Sequence, residues 1–286
     1  MANPEAPSEV ETEDAAYWLA EIEAAKDRAS DWYDAAEDAE EAYKDEKDRD
    51  FGSVNLFWAN VETQKAAIGE DFGKPQVTRV NQPENDGGLS RHVATVWERS
   101  IAAAVKDTND NHDLGLAAYD IFVPGRGQVW LEVEVKEEPG KPKWVCAPLV
   151  RVKWCDYLQG PADRWGGVPW VARRHEFTRD ELVDVCGMDE DDAQHVPLNV
   201  RVMGDRKKRK GRRRKIDDQF MRAAVWEIWT KYPKKGRLYV AEGYDEVLGW
   251  DDDPYRLKNF FPCPRPIRAN GDEGCEPITD YSRCQD

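Results

Sequence analysis

Ile121-Phe-Val-Pro-Gly-Arg-Gly-Gln-Val-Trp-Leu-Glu-Val-Glu-Val135 is the stretch where the chain changes period. Beyond Gly127 apolar and polar residues alternate, which places one side of an extended strand on a core and the other in water. Downstream, strand-like runs return at Trp144–Trp154, at 170–177, and at Ala224–Lys231 and Arg237–Glu242, the last two forming a hairpin around Pro233-Lys-Lys-Gly236. Pro139 to Pro142 mark a turn, and Thr178-Arg-Asp-Glu181 has the spacing of a capping box that opens a helix. Upstream the apolar spacing is three to four residues. That predicts helices over 13–48, 53–68 (with Ser53 as N-cap), 91–106 and 112–120. Helices followed by mixed antiparallel strands make an α+β chain rather than a doubly wound sheet. No internal repeat is visible. The span 188–219 reads as a long exposed loop, and 251–286, with five prolines, as an irregular tail.

The first helix sets the domain plan. Trp18, Ile22, Ala25, Ala29, Trp32, Ala36, Ala39 and Tyr43 form one apolar stripe, and Ser8-Glu-Val-Glu11 has capping-box spacing ahead of it. The stripe either packs on the chain's own domain or docks on a neighbouring subunit. Phe51-Gly52 breaks the helix, so the predicted plan is an acidic amphipathic segment at 1–51 and an α+β domain at 52–286. Trp154, Trp165 and Trp170 are expected at a core or an interface.

Charge is unevenly spread. The chain of 286 residues carries a formal net charge of −16, yet residues 1–50 hold 18 acidic against 5 basic side chains, while 205–215 hold nine Lys and Arg against one Asp. An acidic chain grips DNA only where cations are locally concentrated. Arg206, Lys207, Lys208, Arg209, Lys210, Arg212, Arg213, Arg214 and Lys215, on an exposed loop at about 204–216, are the candidate contacts to DNA or an acidic partner. No aromatic interleaves them, so base stacking is not indicated.

No catalytic, metal or cofactor set emerges. Gly125-Arg126-Gly127 lacks the third glycine of a dinucleotide site and reads as a mobile turn. The four His are scattered. The six Cys form no CxxC pair, so free thiols in a reducing compartment are expected. The opening Met1-Ala-Asn-Pro-Glu5 has no basic or apolar signal region, and no apolar run is long enough to cross a membrane. One weaker pattern, Asp120 followed by Glu134-Val135-Lys136, has the D…ExK order in which two carboxylates hold Mg²⁺ and a lysine helps to activate water. A Mg-dependent nuclease is therefore the alternative reading.

Six segments, in order, resemble the portal proteins of short-tailed phages and prophages. Asn55-Leu-Phe-Trp-Ala-Asn-Val-Glu-Thr-Gln64, with Asn55, Trp58 and Thr63, resembles the family's early helix. Asp120 to Gly127, with Gly125 and Gly127, resembles its Gly-Arg-Gly turn and strand. Trp154-Cys-Asp-Tyr157, with Asp156, then Ala162-Asp-Arg-Trp165 and Trp170-Val-Ala-Arg-Arg174, resembles its tryptophan-rich strand pair. Phe177-Thr-Arg-Asp-Glu-Leu182 resembles the helix start that follows. Val225-Trp-Glu-Ile-Trp-Thr-Lys231, with Trp226 and Trp229, resembles a later strand. Leu257-Lys-Asn-Phe-Phe-Pro-Cys-Pro-Arg-Pro266, with Phe260, Phe261, Pro262 and Pro264, resembles a proline-rich landmark.

The resemblance implies a structural subunit rather than an enzyme, without cofactor or membrane association. Its partners would be further copies in a dodecameric ring, the packaging terminase, capsid and tail-adaptor proteins, and weakly held double-stranded DNA passing through. Its place would be the capsid portal vertex of the virion, reached through the host cytoplasm. Portal subunits are longer, and their stem and clip helices follow the proline-rich landmark. The resemblance thus covers the family's wing-like region and implies a truncated chain. The basic run matches no part of the pattern.

Overall fold

The strand-like runs read from the sequence pair into a sheet whose two faces take different partners. The structure is a computed structural model and describes residues 14–44, 55–68, 75–78, 88–136, 144–201, 221–231, 235–252, 263, 266–268 and 279 (backbone only at 68, 134–136, 144–146, 252, 267 and 268). The chain divides into two units. The first comprises Met1–Tyr33, Cys155–Phe261 and Asp272–Glu276, and the second Asp34–Trp154, Pro262–Gly271 and Pro277–Asp286. The expected boundary at 51/52 lies outside the described residues, as do the Ser8 capping box and Ser53.

In the first unit, strands β5 (Tyr157–Gln159), β6 (Trp170–Phe177), β8 (Met221–Thr230), β9 (Gly236–Ala241) and β10 (Val247–Asp252) form an antiparallel sheet ordered β10-β9-β8-β6-β5. Strand β7 (Val200–Arg201) pairs with the start of β8. The central strand β8 is buried on both sides. Its even residues pair as Arg174↔Trp226↔Val240 and Ala172↔Ile228↔Leu238, its odd ones as His175↔Val225↔Ala241 and Arg173↔Glu227↔Tyr239. Side chains two apart share a face, so the register sorts the two sets to opposite sides.

The even face meets helix α1 (Ala15–Arg28) through Trp18, Ile22 and Ala25, with Trp18 set edge-on to Trp170 at 6.3 Å. The odd face meets α6 (Arg179–Cys186) and α7 (Glu190–His195), where Leu182, Ala193 and Val196 cover Val225, Ala241 and Leu248. Helix α6 opens with the expected capping box, Thr178 and Glu181 each serving the other's backbone. Strand β10 bulges between Val247 and Gly249, and a Cβ on Gly249 would lie 2.2 Å from the Cys186 carbonyl oxygen. Only glycine lets the end of α6 come so close.

Three readings need correction. The helix predicted over 13–48 is two, α1 and α2 (Ser30–Lys44). The amide of Ala29 donates to both Ala25 and Lys26 carbonyls, and the Ser30 hydroxyl donates to the Asp27 carbonyl at 2.9 Å. A tightened turn and a serine competing for backbone account for the break. The stripe itself is buried inside the chain, Trp18 at 1% and Trp32 at 5% exposure. The supposed loop at 188–219 contains α7 and β7, because Ala193 and Val196 supply an apolar side to an otherwise acidic segment. The tail contains two strand segments, the end of β10 and β11 (Ile267–Arg268).

In the second unit, helices α3 (Leu56–Ile68), α4 (Leu89–Thr108) and α5 (Asp110–Phe122) precede β1 (Arg126–Leu131) and β4 (Leu149–Val152), which with β11 form a sheet ordered β11-β1-β4; β2 (Glu134–Lys136) and β3 (Trp144–Cys146) form a separate hairpin. Asn109 joins α4 to α5 in the left-handed region at φ 58, and its amide donates to the Val105 carbonyl. Ala39 of α2 packs with Val61 and Val123 in a small core.

If α1 is integral to its sheet, Trp18→Ala should lose about 3–5 kcal/mol in urea unfolding. A loss below about 1 kcal/mol would show that the helix does not hold that face.

Candidate functional site

Among the described residues, two clusters of polar side chains are removed from water, one in each unit. In the second, Gly125, Arg126 and Gly127 make the joint between α5 and β1. Gly125 sits at φ 92, a conformation that disfavours a side chain. A Cβ on Gly127 would lie 2.3 Å from the Ala117 carbonyl oxygen and 2.6 Å from Ile121 Cγ1, so β1 crosses α5 at backbone contact. Arg126, only 5% exposed, donates from Nη2 to the Trp154 carbonyl oxygen at 2.7 Å. The mobile turn expected here is instead a buried joint: every residue from Val123 to Trp130 is buried.

Helix α5 also closes the edge of β4. Asp110 and Asp113 each accept a backbone amide, from Leu149 at 3.1 Å and from Arg151 at 3.0 Å. These amides would otherwise offer an open ladder to another strand. Two turns on, Asp120 is fully buried and accepts two bonds from Arg151, at 2.6 Å from Nε and 2.5 Å from Nη2. Burial pulls its carboxyl upward, and the bidentate guanidinium opposes that pull and makes the contact an ion pair. Asp120 of the D…ExK pattern is thus committed to an arginine. Glu134 and Lys136 stand on β2 opposite Cys146 and Trp144, and their side chains lie outside the described residues. Among the described residues no three potential metal ligands cluster.

In the first unit the cluster centres on Glu227, in the middle of β8. Its Oε2 accepts from Arg173 Nε at 2.6 Å and lies 2.9 Å from His175 Nε2, while its Oε1 accepts from the Trp229 indole at 2.8 Å. Arg237 approaches from β9, stacks near Trp229 and Tyr239, and pairs with Asp251. Burial alone would push the Glu227 carboxyl up. The bond with His175 and the charge of Arg173 outweigh it and hold the group at about 2. The same burial lifts the Cys186 thiol to about 12. Cys155, Cys186 and Cys263 are free thiols.

The portal-like residues that the structure describes occupy joints of this kind. Asn55 caps α3 by accepting the Trp58 amide at 2.8 Å, and its side-chain amide donates to the Ala42 carbonyl at 2.8 Å, tying α3 to the end of α2. Trp58 is 49% exposed, and the Thr63 hydroxyl donates within its own helix. The Trp154 indole donates to Glu40 at 2.9 Å in the second unit, and those of Trp170 and Trp226 to Glu21 and Glu242 in the first. Lys26 of α1 reaches the same Glu242 at 3.3 Å. Trp165 is half-buried, and Asp156 lies 3.7 Å from Arg174. The expected trio of tryptophans is therefore split, Trp154 in one unit and Trp165 and Trp170 in the other.

Cys263 and Pro266 are buried, whereas Phe260, Phe261, Pro262 and Pro264 lie outside the described residues, as do all nine cations of Arg206–Lys215. Both ends of that segment adjoin described backbone, where Arg201 pairs with Met221. Sequence reasoning missed the Glu227 cluster. The available signal was a lone carboxylate inside the apolar run Ala223-Ala-Val-Trp-Glu-Ile-Trp229.

Glu227 ordinarily titrates at 4.5 and does so near 2 in the fold. Its contribution to stability is complete above the ordinary value and lost as pH falls towards 2. Glu227→Gln should cost about 3–5 kcal/mol at neutral pH, because it removes one partner of the buried Arg173–Glu227 ion pair. It should also flatten the fall in stability between pH 4.5 and 2 in a denaturant series run across pH. A variant as stable as the parent would refute the buried pair. No protein-family model matches the chain, and a search of curated proteins finds no significant relative.

Proposed function

We propose that the chain is a structural subunit of a phage portal ring at the capsid vertex, through which double-stranded DNA is packaged and ejected. The observation that carries the reading is the order of six portal-like segments between Asn55 and Pro266. The described members of those segments support it by their positions: Asn55, Gly125, Gly127, Trp154, Trp226 and Trp229 act as caps, close approaches and indole anchors. Residues of that kind shape a scaffold. The charge of −16 fits a surface past which a duplex slides without being held, since each tight phosphate contact needs a local cation. In this reading copies of the chain would meet terminase, capsid and tail-adaptor proteins, and the subunit carries no reacting centre.

The competing nuclease reading asks Asp120 to leave Arg151 before it can bind Mg²⁺. Two measurements separate them. Sedimentation and electron microscopy of the purified chain should show a closed ring, dodecameric by the resemblance, with no Mg²⁺-dependent cleavage of DNA. A monomer that cleaves DNA with Mg²⁺, and loses the activity in Glu134→Ala, would overturn the portal reading.

A further inference from the structure

Helix α4 carries an apolar face that no described residue covers. Leu89, Val93, Val96, Trp97 and Ile101 expose 67, 47, 61, 59 and 39% of their surfaces, and no residue of the helix is buried. They recur at steps of three and four, so they share one side of the helix. The chain packs on the other side. Ala94, Glu98 and Val105 are half-buried there, and Glu98 accepts the Val77 amide at 3.0 Å. By the same periodicity Arg91, Arg99 and Lys106 point away from the apolar face, which carries no charge between Leu89 and Ala104.

The face is graded in size along the helix. Its first half holds Leu89, Val93, Val96 and Trp97. Its second half continues beside Ile101 with the small residues Ser100, Ala103 and Ala104, all exposed. We infer that the chain pairs with a second copy of itself through antiparallel α4 helices. A two-fold axis near the helix centre turns the gradient into complementarity: Val93 of one copy meets Ala104 of the other, and Trp97 meets Ser100. Parallel pairing would set Trp97 against Trp97 and leave Ala104 facing Ala104. The antiparallel arrangement also brings exposed Asp107, which continues the face at its far end, to the first turn of the other α4. Backbone N–H groups there favour an anion, and the N-cap Gly88 provides no side-chain cap. The large side chains expose roughly 500 Å² of apolar surface per copy, so a pair reaches the ~1,000 Å² at which specific interfaces begin, enough for a reversible dimer. Such a contact closes at two copies, so a ring would need other surfaces as well. The argument uses exposure and helix geometry and is independent of the portal resemblance.

Sedimentation and cross-linking test it on the full chain. Val96→Glu with Trp97→Glu should weaken self-association at least about tenfold. It should leave the melting temperature unchanged at dilutions where the parent is monomeric, because both side chains are exposed. A Val93→Cys chain mixed with an Ala104→Cys chain should be joined by a short thiol cross-linker well above the background from the native cysteines. Val93→Cys alone should stay at that background, since antiparallel helices hold the two copies of this position far apart. A parent chain that stays monomeric at high concentration overturns the inference, as does self-association that survives Val96→Glu with Trp97→Glu. Val93→Cys linking to itself as readily as to Ala104→Cys does so too. A closed ring that survives the glutamate pair would sink this inference and leave the portal reading standing, whereas a dimer lost in that pair, with no ring, would do the reverse. A monomeric parent that binds phosphatidylcholine vesicles, with binding lost in Val96→Glu/Trp97→Glu, would assign the face to a membrane and overturn the pairing.

Discussion

A carboxylate in the middle of a doubly covered strand has few acceptable arrangements, and Glu227 takes one of them. Desolvation disfavours its charge, so cations or strong donors must be aimed at both oxygens. Arg173 and His175 can do so only if β6 lies beside β8 with Arg173 opposite Glu227, and Arg237 only if β9 lies beside β8 with Trp229 opposite Arg237. A one-residue slip would send Arg173 to the face of α1 and leave Glu227 buried without a counter-charge. The polar cluster therefore fixes the register that apolar residues alone would leave looser, and that register places Trp226, Ile228 and Leu238 under α1.

The second unit solves a related problem at an edge. Among the described residues, strand β4 has β1 on one side and no further strand on the other. Its outward amides at Leu149 and Arg151 are met by Asp110 and Asp113, and the Arg151 side chain by Asp120. One helix thus supplies all three acceptors, and it can lie close enough only because Gly127 has no side chain where β1 passes Ala117. The Gly-Arg-Gly sequence and the aspartates of α5 belong to a single packing solution.

Much of this was legible in the sequence, for identifiable reasons. The stripe from Trp18 to Tyr43 and the strand-like runs at 170–177, 224–231 and 237–242 follow from helix and strand geometry, which fixes which residues share a face. The capping box at Thr178 is local chemistry and is found where it was read. What failed was non-local or masked by an irregularity. Strand β5 is three residues long, and β10 has its alternation interrupted by the bulge at Gly249. Gly125 and Gly127 look like any loop until α5 is known to lie against them. The partners of Glu227 lie 54 and 52 residues away on β6, beyond the reach of any periodicity argument. The D…ExK spacing likewise contains no hint that Arg151 would take both oxygens of Asp120.

The distribution of charge links these packing solutions to what the surface can do. Arg151, Arg173, Arg237, Lys26 and Lys65 each lie within ion-pair distance of a carboxylate, so their fields are largely cancelled within the fold. Neutralising phosphates requires cations that are not already engaged in this way, because the counterions released on binding come only from newly paired charges. In the sequence the densest run of cations is Arg206–Lys215, while the outer faces of α1 and α2 carry exposed carboxylates such as Glu23, Asp34 and Glu37. A polyanion is therefore repelled at these faces of α1 and α2 and favoured where the sequence concentrates cations. Cations concentrated in one stretch of sequence and carboxylates spread over these helix faces would orient a polyanion without holding it along its length.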